Sequence, residues 1–152
     1  MWSKIIRTDD DKVLALLRLA LGIVVFPHGA QKLLGWYGGF GYTGTMGFLT
    51  GMMHIPYPLA VLVIVAEFFG ALGLIVGFLG RVAAFGVAVD FTVVALLVHV
   101  PNGFLMNWSG QQKGEGYEFF ILAIAIAIAI VIRGSGAWSI DRILSSKRPG
   151  SP

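Results

Sequence analysis

The chain has 152 residues, of which 57% are hydrophobic and only 12% charged, and its mean hydropathy of +0.82 lies outside the usual composition of soluble domains. The formal net charge of +3 does not point to nucleic acid, because Lys and Arg flank apolar runs and form no patch interleaved with aromatics. With no cysteine present, disulfides, thiolate metal sites and thiol-redox centres within the chain are excluded, and any thiol chemistry would belong to a partner or a small molecule.

The N-terminal segment carries Lys4 and Arg7 and then Asp9, Asp10 and Asp11. No small-residue cleavage site ends the apolar run that follows, so that run reads as a retained membrane segment and not as a signal peptide. Four such runs occur in order: Val13–Leu34, Tyr57–Leu79, Val82–Val100 and Tyr117–Ile132. A bilayer takes roughly 20 residues of helix, with about 17 as the usual lower limit, so three runs qualify outright and the fourth depends on its flanks. The fourth alternates Ala and Ile, a strand-like period, yet a lone strand in lipid leaves its backbone unpaired. Helix is therefore expected throughout: an all-α, integral membrane, antiparallel four-helix bundle forming one domain over residues 1–152.

Residues 35–56 form the first outward loop, too glycine-rich for regular helix throughout and aromatic enough to lie on the membrane surface. Residues 101–116 form the second, with Trp108 and Phe104 suited to the interfacial layer. The connection at Gly80 and Arg81 is short enough to force an antiparallel hairpin. Four spans place both tails on the face that receives Lys4, Arg7, Lys12, Arg81, Arg133, Arg142, Lys147 and Arg148, whereas only Lys32 and Lys113 lie at the other. By the positive-inside rule both termini are expected in the cytoplasm.

Two patterns bear on packing. Gly70, Gly73, Gly77 and Gly80 recur on one helical stripe, where a neighbouring backbone can approach closely. Glu67-Phe68-Phe69 matches Glu118-Phe119-Phe120, and His28 and His99 each precede a tryptophan, Trp36 or Trp108, a faint repeat that would relate two helix pairs.

Ionisable residues inside apolar runs mark functional positions, because leaving water is costly without a partner or a wet cavity. At the helical rise, Glu67 lies about 21 Å above Arg81, His99 about 27 Å above Arg81, and His28 and Lys32 about 24 and 30 Å above Lys12. His28, Gln31, Lys32, Glu67, His99 and Glu118 thus form an outer polar layer, in which His28, Gln31 and Lys32 share a helix face. This layer reads as an outward pocket for a polar head group, with titratable His and Glu able to move protons. The plainer reading has Lys32, His99 and Glu118 reaching into the lipid head groups, which Glu67 is too short and too deep to do. Deeper down, Arg18 and Asp90 lie at similar levels and are expected to form a structural ion pair. No compact metal-ligand motif is present.

These residues resemble those of the DoxX family of small four-helix membrane proteins over nearly the whole chain. The resemblance is carried by Arg18-Leu19 with Gly22, by His28-Gly29-Ala30-Gln31-Lys32-Leu33, and by Glu67 followed by glycines and Arg81. His99, Gly116-Tyr117-Glu118 and Gly134-Ser135-Gly136-Ala137-Trp138-Ser139-Ile140-Asp141 complete it. Two departures stand out: Ser135 occupies a place where relatives often have proline, and Asp90 is not a position associated with the family. The resemblance implies a bacterial or archaeal cell membrane and, for some members, subunits of a thiosulfate:quinone oxidoreductase or anchors of oxidative-stress assemblies. Carried over, it implies a site for a quinone head group or another small ligand, with Glu67 and His28 as acid/base groups, Lys32 as a polariser, and Gln31, His99, Glu118, Trp36 and Trp108 also around the ligand. An electron route would have to come from the ligand or from a redox partner protein, since no flavin, haem or nicotinamide motif is visible. A non-enzymatic scaffold, a small-solute transporter and a homo-oligomer remain open.

Overall fold

The computed structural model describes residues 2–146. Lys147 and Arg148, counted above for orientation, lie outside the described residues. A short helix α1 (Trp2–Ile6) precedes α2 (Lys12–Leu34), which begins where the Asp11 carboxylate accepts a hydrogen bond from the Leu14 amide at 3.0 Å. Gly35, at φ 73°, ends α2 in the left-handed conformation that glycine tolerates best.

The first loop is more ordered than its glycine content predicts. A 3₁₀ turn at Trp36–Gly38 leads into α3 (Gly41–Met46), which continues as a π-helical stretch over Gly47–Met52. Met46 and Leu49 bury against Ala60 and Ile64 with Leu33 at the edge, so the segment folds back over the ends of two neighbouring helices. The next rod runs from Tyr57 to Val76 as α4 (Tyr57–Val65), a π turn at Ala66–Gly70 and α5 (Ala71–Val76). The chain reverses at Gly77 (φ 69°) and Leu79 (φ 52°), three residues earlier than the sequence suggests. It then forms α6 (Gly80–Val94), which continues through a π turn at Ala95–His99 to Asn102. Last come α7 (Glu118–Arg133) and α8 (Ile140–Ser146).

Among the described residues there are no strands, and three helices are long and apolar enough to cross a membrane: Lys12–Leu34, Tyr57–Val76 and Gly80–Asn102. α7 has 16 residues, a rise of about 24 Å, and packs on α6 and α2. Its buried positions, Phe120, Ala123, Ala127 and Ile130, follow a helical spacing, so the Ala/Ile alternation does not set its faces. One core joins these helices: Leu14, Leu21 and Val25 from α2, Ala71 and Leu74 from α5, Ala84, Val87 and Phe91 from α6, and the buried face of α7. Large apolar side chains such as Ile23, Leu62, Phe85 and Leu122 face outward, as lipid contact requires.

The closest helix approach lies on α2 and not on the glycine stripe. A Cβ at Gly29 would sit 2.5 Å from the backbone carbonyl of Glu67 and the amide of Phe68, and one at Gly22 would sit 2.9 Å from Ile75. Of the stripe, Gly70 and Gly73 face α6, whereas Gly77 and Gly80 lie at the chain reversal against Ser139 and Ser135.

The segment after α7 returns to lock the opposite end of the bundle. The Asp141 carboxylate accepts hydrogen bonds from the Leu79 and Gly80 amides, both at 2.9 Å, and from the Ser135 hydroxyl at 2.5 Å. This places an anion on the first amides of α6, groups that a helix start leaves without partners. Arg81 donates to the carbonyls of Val131 and Ile132 at the end of α7 and to Arg7, tying three segments together.

Candidate functional site

The close approach at Gly29 sets the geometry of the polar residues at this end of α2. With the two backbones in contact there, the side chain of Lys32, one turn further along α2, meets Glu67 in its π turn. Lys32 Nζ donates to Glu67 Oε2 at 2.5 Å, with Glu67 almost fully buried and the lysine partly exposed. His28 lies on the outer surface of the bundle, near enough to Glu67 and Lys32 to sense both charges.

On its exposed side Lys32 borders a cavity of about 280 Å³ lined by Gln31, Gly38, Gly39, Phe40, Thr45, Phe48 and Leu49. The folded-back segment after α2 supplies most of its wall, and Gln31 is held at the rim by donating to the Tyr37 carbonyl at 3.2 Å. Sequence reasoning missed this wall, since a glycine-rich stretch does not reveal where it folds. Its spaced apolar residues Met46, Leu49 and Met53 are the one available hint. The volume lies near the lower end of small-molecule sites, and an apolar lining with a few converging polar groups is the usual character of such sites.

The remaining expected ligand-binding residues go elsewhere. His99 Nδ1 lies 2.9 Å from the Glu115 carbonyl, and its ring packs 4.4 Å, centroid to centroid, from Phe120. Glu118 accepts from the Met106 amide at 2.9 Å, so both residues organise the second loop. Trp108 is 88% exposed, and Trp36 is exposed and packs edge-on against Tyr37; neither lines the cavity. Glu67 and Glu118, matched in the faint repeat, therefore have different surroundings.

The expected Arg18–Asp90 ion pair does not form. Arg18 is fully buried, but its guanidinium donates to backbone carbonyls: Ser135 at 2.7 Å, Ile75 at 2.9 Å, Trp138 at 3.1 Å, Ala137 at 3.4 Å, and Leu74. These carbonyls belong to the end of α5 and to the segment after α7. A planar fork of five N–H donors suits such a cage better than a lysine would. Asp90 instead lies on the stretch of α6 that packs against the Ala66–Gly70 turn, where Gly86 meets Ala66 and Gly70 meets Val87, which brings its carboxyl near that of Glu67. The two residues are within one residue of the same distance from the reversal, since Glu67 precedes Val76 by nine residues and Asp90 follows Gly80 by ten. Counting Glu67 from Arg81 at the helical rise overstates its height, because Gly77–Leu79 are not helical.

These features define a small integral membrane protein whose ionisable side chains cluster within the helix assembly beside a surface cavity. The chain belongs to the DoxX family, whose profile matches residues 13–100. It is similar to the inner membrane protein YqjF of Escherichia coli (strain K12), with 33% identity over 141 residues covering 91% of this chain and 96% of that protein. No solved structure matches it.

Proposed function

We propose that this chain is a small membrane subunit of a redox system, binding a quinone-like head group in the cavity beside Lys32. The observation that carries the reading is the Lys32–Glu67 pair at the cavity edge. The lysine has three N–H donors and uses one on Glu67, which leaves others for a ligand carbonyl. Neither Glu67 nor His28 lines the cavity itself; Glu67 reaches it through Lys32, and His28 lies on the same helix as Lys32, so these two are the acid/base candidates.

Reduction of a quinone takes up two electrons and two protons. The protons would pass through the Lys32–Glu67 pair and His28. The electrons would come from a thiol or thiosulfate donor through a partner protein, because the chain has no cysteine of its own. In the arrangement we infer, an antiparallel bundle of four membrane helices in the cell membrane holds both termini in the cytoplasm and opens the cavity to the outer leaflet. α7 is the fourth span.

The test is the quinone content of protein extracted gently from quinone-rich membranes. Wild type is expected to retain quinone and Glu67→Gln to lose it while remaining folded and inserted. Equal retention in both, or none in either, favours a non-enzymatic scaffold, a role for which the carbonyl cage of Arg18 and the Asp141 lock would suffice.

A further inference from the structure

We propose that the Asp90 and Glu67 carboxyls share one exchangeable proton, making the buried end of the polar cluster a proton-binding site. Asp90 is 6% exposed and Glu67 3%, and both oxygens of Asp90 are buried without a hydrogen-bond donor. As carboxylates the two groups can only accept, so their contact is repulsive while both are ionised. A proton on either one gives the pair a donor, so that an O–H···O hydrogen bond can replace the repulsion and satisfy an Asp90 oxygen.

The charge balance leads to the same place. The charged and titratable groups facing the pair are Lys32 and His28 from α2. α7, packed on α6, contributes the apolar Phe120, Ala123 and Ala127. Arg18, the other buried cation of α2, is fully engaged by carbonyls further inward. His28 is exposed at the surface, so inside the bundle two carboxylates stand against one ammonium, an uncompensated negative charge in a low-dielectric interior that protonation removes. Paired carboxyls elsewhere behave as one unit that holds a single proton.

The proton reaches the site from the cavity side through Lys32 and Glu67, and this connection to a ligand rests on the functional reading above. The shared proton itself does not, and its test uses ligand-free protein. Infrared spectra of the full chain in lipid nanodiscs at neutral pH are expected to show a protonated-carboxyl C=O band that shifts in D₂O. Asp90→Asn and Glu67→Gln should each abolish that band, because the remaining carboxylate keeps Lys32 or an amide as its partner. Asp90→Glu, which keeps the acid, should retain the band at a changed frequency. The proposal is overturned if wild type lacks the band, if Asp90→Asn keeps it, or if the band present in a buffer with choline as the sole cation is lost when that cation is exchanged for sodium, the last result marking a sodium site instead. Loss of quinone binding with the band intact would refute the ligand reading alone.

Discussion

Gly29→Ala probes the contact from which the polar cluster is built. The added Cβ would stand 2.5 Å from the carbonyl carbon and oxygen of Glu67 and from the Phe68 amide nitrogen. That is roughly 1 Å inside ordinary carbon contact, and all three atoms are backbone, so no side chain can rotate away. The helices must separate or the π turn must shift. Overpacking of this kind costs about 1–3 kcal/mol, and the same displacement draws Lys32 away from Glu67. Gly47→Ala is the matched control, because a Cβ there meets nothing within 4 Å and its backbone is already helical. Unfolding in mild detergent should show Gly29→Ala destabilised by that amount and Gly47→Ala unchanged. Equal stability of the two variants would mean that α2 and the Glu67 turn are not in backbone contact.

Arg18→Lys should cost at least about 2 kcal/mol, because one ammonium cannot replace the fork that serves five carbonyls. Combined with Asp90→Asn, its effect should add within about 0.5 kcal/mol, whereas strong coupling in a double-mutant cycle would restore the ion pair. Asp141→Asn should cost about 1–3 kcal/mol in the same unfolding assay, since an amide cannot accept from the Leu79 and Gly80 amides and the Ser135 hydroxyl together. For orientation, cysteines introduced singly at Gly44 and Gly110 should react with an impermeant reagent in intact cells, and cysteines at Ser3 and Ser146 should not. The reverse pattern would invert the topology.

The apolar runs made the helices legible, because in lipid the backbone has no other way to satisfy itself within one segment. They were legible to within a few residues, except where Gly77 and Leu79 turn the chain before Gly80. The level of Glu67 and Lys32 could be read, but not their pairing, since depth along a helix says nothing about rotation around it. The same limit assigned Arg18 to Asp90: the true acceptors are backbone carbonyls, which have no signature in side-chain identity. Asp90 stood out as a costly residue, and its real neighbour emerges only when residues are counted from the reversal. His99 and Glu118 sat in the right layer for a ligand site but serve the second loop, whose Asn107, Gln112 and Glu115 contacts are too local to show in composition.

The site is tested most directly by photolabelling the protein in nanodiscs with an azido derivative of a short-chain ubiquinone, followed by peptide mapping. The account predicts label concentrated between Gln31 and Leu49, the segment that lines the cavity. Excess unlabelled quinone should compete it away, and Glu67→Gln should reduce it at least about tenfold, the loss of roughly 1.4 kcal/mol of binding. Label spread over the lipid-facing surfaces of all the helices, indifferent to competitor and to Glu67→Gln, would contradict a quinone site in this protein.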